Sequence, residues 1–311
     1  MLKFDDFALR LHATDDVAVL RRPVKTGAEL TAPGLRLPAH RDIPAGHKIA
    51  LRAVADGAPI RKYGQIIGFA KGAIDPGDHV HTHNVAMRDY HRDYEFCADA
   101  RPVDFYPPEQ MRHFQGYPRP DGRVGTRNYL AVISSVNCSA SVSHYVRDRF
   151  RTADLRRDFP NVDGVIAFTH KGGCAIPLGE PYQLLQRVLA GIARHPNISG
   201  YVMIGLGCEV NQVQFLRQDF NLDQLRPGEA APTFLTIQGT GGVRKTVEAG
   251  VAAVTRLLPI ANALRRTPQP VSKLVLAENC GGSDGNSGIT ANPALGVASD
   301  ELIRFGGTSV L

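Results

Sequence analysis

From Tyr129 onward, short apolar runs alternate with glycine-marked polar loops and longer amphipathic stretches, and that rhythm leaves few folds open to the chain. Strands are expected over Leu130–Val136, Val165–Phe168, Tyr201–Ile204, Thr233–Ile237 and Leu274–Ala277. Strands separated by helix-length segments make a parallel sheet covered by helices, since each crossover carries the chain back to the same end. Right-handed crossovers then place the C-terminal strand ends along one edge, where open α/β sheets bind ligands.

The first hundred residues read differently. Short apolar segments such as Val17–Leu20, Lys48–Leu51 and Gln65–Ala70 are punctuated by glycine and proline, the pattern of a small β-rich domain. Residues 98–115 are proline-marked and aperiodic, which suits a linker. The expected organisation is a β-rich domain over 1–97, a linker over 98–115 and an α/β domain over 116–311. Thr308–Leu311 reads as the start of another strand, so the chain is expected to continue beyond it.

Five loops follow the five expected strands. They are Asn137–Ala140, His170–Cys174, Gly207–Gln212, Gln238–Gly242 and Asn279–Asp284, and they should converge on one polar crevice. In that crevice His170 and Lys171 can act as acid or base, although Lys171 can equally neutralise an anion. Glu209 can serve as base or ligand, or cap a helix. The cysteines can ligate a metal, attack as nucleophiles or simply fill space, and no orienting Cys-His-acid set supports the nucleophile. A three-cysteine iron–sulfur site stays open, although the spacing follows no ferredoxin-like run. The last loop, Glu278–Gly296, is the densest in polar residues, with Asn292 expected as N-cap and Pro293 as first residue of a helix. Gly239–Gly242 follows a strand and raises a dinucleotide-binding alternative, but it lacks the full glycine fingerprint and the ribose-binding acid.

In the small domain, His79, His81 and His83 alternate, and on a β-strand residues two apart share a face. Such a set can present ring nitrogens to a metal, with His81 and His83 beside Asn84 as the expected ligands; an exposed polar strand is the plain alternative.

Five cysteines without a CxxC pair or a leader argue against both a disulfide framework and a structural zinc site. Cys97 stands apart and reads as structural. No apolar run approaches ~20 residues and no charged-then-apolar leader follows Met1, so a cytoplasmic location without membrane partners is expected. The net charge of +6 comes from scattered basic residues with no aromatic-interleaved stripe, which fits a small anionic substrate and not nucleic acid.

Taken together, HVHTHN, GYPRPDGRVGTRNYLAV, VNCSA, GLGCEVNQ and ENCGGSDGNSGITANPALG resemble the altronate and galactarate dehydratase family of sugar-acid hydro-lyases, over nearly the whole chain. Arg123, Gly125, Thr126, Arg127 and Asn128 fall on its DGxxGTRN segment. Asp284, Ser287, Gly288, Thr290, Asn292 and Pro293 fall on its GGSDxxSGxTANP signature. The resemblance implies an SAF-type β-clip domain followed by a catalytic α/β domain, and Fe(II) or Mn(II) as cofactor. HVHTHN looks more like the altronate branch. Two departures stand out: HKGGCA replaces another polar run before the Gly-Cys pair, and the family's further C-terminal domain looks absent altogether. A homo-oligomer, or pairing with that C-terminal region, is the expected partnership.

The resemblance implies dehydration of a sugar acid, D-altronate to 2-keto-3-deoxy-D-gluconate in the first place, with galactarate, another aldonate or aldarate, or inactive sugar-acid binding as alternatives. In that scheme Lys171, His170, Glu209 and Asp284 are the catalytic candidates. Arg127, Asn128, Asn137, Ser283, Ser287, Thr290 and Asn292 are the substrate-binding ones. His81 and His83 lead the metal ligands, with Cys138, Cys174, Cys208 and Cys280 as further donors.

Overall fold

The computed structural model describes residues 1–91, 95–98, 100–150, 155, 157–224, 231–279, 281–282 and 286–311. The chain forms two compact units. One holds Met1–Val103, Glu278–Asp300 and Leu311; the other holds Asp104–Ala277 and Glu301–Val310.

The first unit is built from hairpins. Its central sheet is antiparallel, in the order β1 (Ala8–Leu9), β2 (Val17–Leu20), β3 (Lys48–Ala50), β4 (His79–Val80). Two three-stranded sheets flank it, one built on Glu29–Ala32 and Leu35–Pro38, the other on Pro59–Lys62 and Gln65–Ala70. Turns of one kind recur, with Gly27, Gly46, Gly57 and Gly77 all at positive φ, where glycine carries no Cβ penalty. At Gly77 a Cβ would stand 2.0 Å from the Pro38 carbonyl oxygen, so space as well as φ demands glycine. Two small apolar cores fill the unit, one around Leu20, Leu30, Leu37 and Ile49, the other around Ala50, Ile60, Ala70 and Val80.

The second unit carries the expected parallel sheet. Its strands are β5 (Tyr129–Ser134), β6 (Gly164–Phe168), β7 (Ile198–Gly205) and β8 (Thr233–Thr236), in the order β6-β5-β7-β8. The helices are α1 (Ala140–Asp148), α2 (Glu180–Ala193), α3 (Val213–Asp219) and α4 (Val243–Ala263). Alternation along β5 shows why both faces are covered. Leu130 and Val132 pack with Val142 and Val146 of α1 and Val254 and Leu257 of α4. Ala131 and Ile133 pack with Leu189 and Ala190 of α2 and Val213 and Leu216 of α3. A strand buried on both sides reads as one continuous apolar run, which is how this one was legible.

Three expectations change here. The strand expected over Leu274–Ala277 is β9 (Val275–Ala277), and among the described residues it pairs only with β10 (Thr308–Val310), in a separate two-stranded parallel sheet. Four strands, not five, therefore share the main edge. The helix expected from Asn292 is α5 (Ala291–Arg304), so Asn292 lies within its first turn, where the missing N–H of Pro293 is tolerated. His113, inside the expected linker, opens a strand, His113–Pro118, that pairs with Thr267–Pro270. No helix among the described residues is long and apolar enough to cross a membrane.

Candidate functional site

The order β6-β5-β7-β8 means the chain winds first to one side of β5 and then to the other. Crossovers leave the sheet in opposite directions between β5 and β7, and their diverging loops open a crevice at the C-terminal strand ends. Asn137 and Cys138 follow β5, His170 to Cys174 follow β6, and Cys208 and Glu209 follow β7. Backbone bonds lace the loops together: Asn137 N–H donates to the Gly172 carbonyl (2.8 Å), and Val210 N–H to the Cys174 carbonyl (2.9 Å).

Glu209 is 1% exposed, and its carboxylate accepts three hydrogen bonds. Oε1 accepts from Ser135 Oγ (3.0 Å) and Leu206 N–H (3.0 Å), and Oε2 from Gly207 N–H (2.5 Å). Only glycine at 205 makes room, since a Cβ there would sit 2.4 Å from Oε1. Glu209 thus ties the β7 loop to β5. The helix that follows, α3, starts only at Val213.

His170 is half-buried, and its Nδ1 accepts from Gly172 N–H (3.1 Å). An accepting Nδ1 puts the proton of the neutral ring on Nε2, which is buried with no protein partner. Lys171 next to it is exposed. His144 of α1 also reaches this edge, with Nε2 3.4 Å from Thr169 Oγ1; nothing in its helical sequence context marked it out.

Three cysteines meet here. Burial first, then the neighbouring Cys174 thiol, which shares a hydrogen bond with it, then Cys208, push the Cys138 thiol up from its ordinary value. Cys208 Sγ accepts from Gln238 Nε2 (3.3 Å). Ile237–Thr240 is a helical turn capped by Thr236 Oγ1, Gly241 closes it in the left-handed region, and α4 starts at Val243.

Two expected substrate contacts are not at this edge. Arg127 and Asn128 precede β5, whose six residues at ~3.3 Å each put them roughly 20 Å from the loops. Asn128 is fully buried, donating from Nδ2 to the Asn161 (2.8 Å) and Ala261 (2.9 Å) carbonyls and accepting from Arg119 (3.1 Å). Arg127 is paired with Asp163 at 3.5 Å. Both hold the bottom of the sheet.

The signature segment belongs to the first unit. Cys280, Ser283 and Asp284 lie outside the described residues. Ser287 opens a single 3-10 turn, Thr290 Oγ1 donates to the Asn286 carbonyl (2.8 Å), and Asn292 is exposed on α5. The Tyr63 hydroxyl donates to the Gly288 carbonyl.

The histidines of the first unit form a cluster larger than expected. The strand stops at Val80, and His81–Asn84 is a turn in which Asn84 Oδ1 accepts the His81 N–H (2.9 Å) and its Nδ2 donates to the His79 carbonyl (3.1 Å). Pairing of β3 with β4 sets His47 opposite His81, and the rings stack at 4.8 Å. His47 Nδ1 lies 2.9 Å from His79 Nε2, and the His79 and His83 rings are 5.4 Å apart. Burial, with neighbouring imidazoles adding to it, holds His79 down at about 4 and also lowers His47. Neutral rings keep lone pairs available, so the donor set fits a first-row divalent ion. Among the described residues, no three His, Cys, Asp or Glu side chains already surround a single point as ion ligands do.

Fold and site together define an SAF-type domain joined to a doubly wound α/β unit whose switch point is lined with thiols, an imidazole and a lysine. Residues 6–88 match the altronate/galactarate dehydratase SAF domain, 116–262 the D-galactarate dehydratase/altronate hydrolase second domain, and 271–311 the D-galactarate/altronate dehydratase C-terminal region. The chain belongs to this altronate/galactarate dehydratase family. It is 35% identical to altronate dehydratase of Bacillus subtilis (strain 168) over 309 residues, 97% of this chain and 59% of that one. It is 36% identical to galactarate dehydratase (L-threo-forming) of Escherichia coli (strain K12) over 308 residues, 97% of this chain and 58% of the relative. Subunit beta of (2R)-sulfolactate sulfo-lyase from Chromohalobacter salexigens is 29% identical over 201 residues, 64% of this chain and 46% of the subunit. The chain spans about three fifths of the length of the two dehydratases. The match at 271–311 corrects the expectation that the C-terminal domain is absent altogether, since part of it is present.

Proposed function

We propose that this chain carries the dehydration of a sugar acid, D-altronate in the first place, and that the reaction takes place in the α/β crevice. The observation behind this reading is the meeting of His170, Lys171 and three thiols at the switch point of a sheet whose family relatives are named for altronate and galactarate dehydration. HVHTHN, which resembles the altronate branch, favours altronate over galactarate.

Loss of water from an aldonate requires removal of the proton beside the carboxylate and departure of the neighbouring hydroxyl. The first step builds a second negative charge next to an ionised carboxylate, so cationic groups must meet it. Lys171, exposed at the crevice, pairs with the substrate carboxylate, a task that Arg127 cannot perform from the far end of the sheet. His170 is the group for proton exchange: it takes the proton beside the carboxylate and, once protonated, returns it to the leaving hydroxyl so that water departs. Asn137 presents an amide to the sugar hydroxyls. Glu209 holds the loop that carries Cys208. A divalent ion, Fe(II) or Mn(II), would be held within the first unit by His81 and His83 with His47 and His79 behind them, and would supply Lewis-acid chemistry when bound.

An anaerobic assay of the purified chain with ferrous iron or manganese, offering altronate and galactarate separately, tests the reading. A 2-keto-3-deoxy product from altronate is the expected outcome. Because the chain spans three fifths of its relatives, a second reading is a sugar-acid-binding piece; tight binding with no turnover of either acid would favour it over ours.

A further inference from the structure

Helix α2 is apolar on two faces. Its inner face, with Leu185, Leu189, Ala190 and Ala193, packs on the sheet against Ala131 and Ile133. Its outer face carries Pro181, Leu184, Val188 and Gly191, all exposed, and the turn before the helix adds Leu178. Leu178 is 76% exposed, Leu184 59% and Val188 49%. Gln186, by contrast, lies inside at 5% exposure and spends its amide on the Tyr182 hydroxyl (2.7 Å). A helix that did nothing but cover a sheet would turn its polar residues outward and its leucines in. Pro181, Leu184, Val188 and Gly191 recur at spacings of three, four and three, which is the a/d seam of a two-stranded helix pair and not a scatter of single surface aliphatics.

Charge says what covers the seam. With Pro181 and Val188 at a and Leu184 and Gly191 at d, Glu180 and Arg187 both fall at g, on one flank and two turns apart. Both are exposed, and neither has a partner among the described residues. In a parallel pair g faces e, which here is the inward Leu185; in an antiparallel pair g faces g. A two-fold axis beside Leu184 therefore sets Glu180 of each copy against Arg187 of the other, one such pair at each end of the seam, with the two leucines meeting at its centre.

We propose that α2 is the contact of a two-fold symmetric homodimer, in which a second copy of this chain lies antiparallel across the Leu184–Val188 stripe. The charge pattern selects a second copy, because opposite charges two turns apart on one flank are complementary to themselves under a two-fold axis and to little else. The helix is already folded and packed on its sheet, so association costs no helix ordering. The seam is short, one helix of 14 residues, which puts the dimer at the small end of stable interfaces and its dissociation constant on the order of micromolar. Nothing in this contact rests on the dehydratase reading.

Sedimentation of the full chain across about 1–100 µM tests it. The expected result is a mass that rises with concentration from one chain to two. Leu184→Glu changes a surface residue of the monomer, so it should keep the circular dichroism of the wild type and stay monomeric throughout. E180R and R187E should each weaken self-association by about tenfold or more, since each sets like charges against one another at both ends of the seam. Mixed together, these two variants should form a heterodimer with both ion pairs restored, and the double variant E180R/R187E should regain the homodimer. Recovery in the double variant separates pairing from the effect of a basic residue at the helix N-terminus, which the single and double variants share. A wild type that stays monomeric over the whole range, a dimer indifferent to L184E, or single variants that neither pair with each other nor recover in the double would overturn the proposal.

Discussion

Glu209 and Lys171 were equal candidates for proton transfer as residue types, and burial separates them. Removing the Glu209 carboxylate strands Ser135 Oγ and the N–H groups of Leu206 and Gly207 away from water. Unfolding in urea should show Glu209→Ala destabilised by about 2–4 kcal/mol, the cost of orphaned buried donors. Lys171→Ala is a surface change and should stay within about 0.5 kcal/mol of wild type while raising the KM for the sugar acid by about tenfold, one lost ion pair in the crevice. Asn128 makes the same point from the other direction. Its GTRN context suggested substrate, yet its amide is spent on carbonyls 33 and 133 residues away. Sequence spacing cannot display partners that only the fold assembles. Asn128→Ala should therefore cost about 2–3 kcal/mol in thermal or urea unfolding and leave KM unchanged; a raised KM with unchanged stability would return it to the substrate site.

Elements were more legible than single roles. Strands β5 to β8 fell where continuous apolar runs predicted them, because strands buried on both faces leave an unbroken apolar signature. Leu274–Ala277 carries the same signature and still joins a different sheet, since an apolar run says that a strand is covered and not by what. The histidine alternation likewise pointed to a shared face, but the sharing comes from a turn and from β3, which brings in His47 from 32 residues upstream. If these rings form one metal site, His47→Ala should weaken Mn(II) or Fe(II) binding by roughly tenfold or more, as should H81A and H83A. Equilibrium dialysis against the metal alone measures it. Unchanged affinity in all three variants would return the cluster to a packed, exposed turn.

At the scale of the whole chain, two units with separate cores follow from two sequence rhythms, hairpin punctuation before residue 100 and strand-helix alternation after Tyr129. Among the described residues, the two cores of the first unit draw only on residues between Leu2 and Val85, with none from the signature segment. Each hairpin is closed locally, with Gly27, Gly46, Gly57 and Gly77 donating to the carbonyls of Ala39, Leu20, Ala70 and Ala50 at 2.7–2.9 Å. A chain of residues 1–103 should accordingly fold by itself, though with modest stability, since domains of this size bury a smaller share of their surface. Cooperative thermal unfolding and a β-type dichroism spectrum are expected of it. Gly77→Ala in that fragment should abolish the transition, because its Cβ would lie 2.0 Å from the Pro38 oxygen at a φ of +94°, and relieving both faults means opening the turn that leads into β4. A fragment without a transition in either form would show that residues 278–300, which belong to the same unit, supply stability that the two apolar cores alone do not.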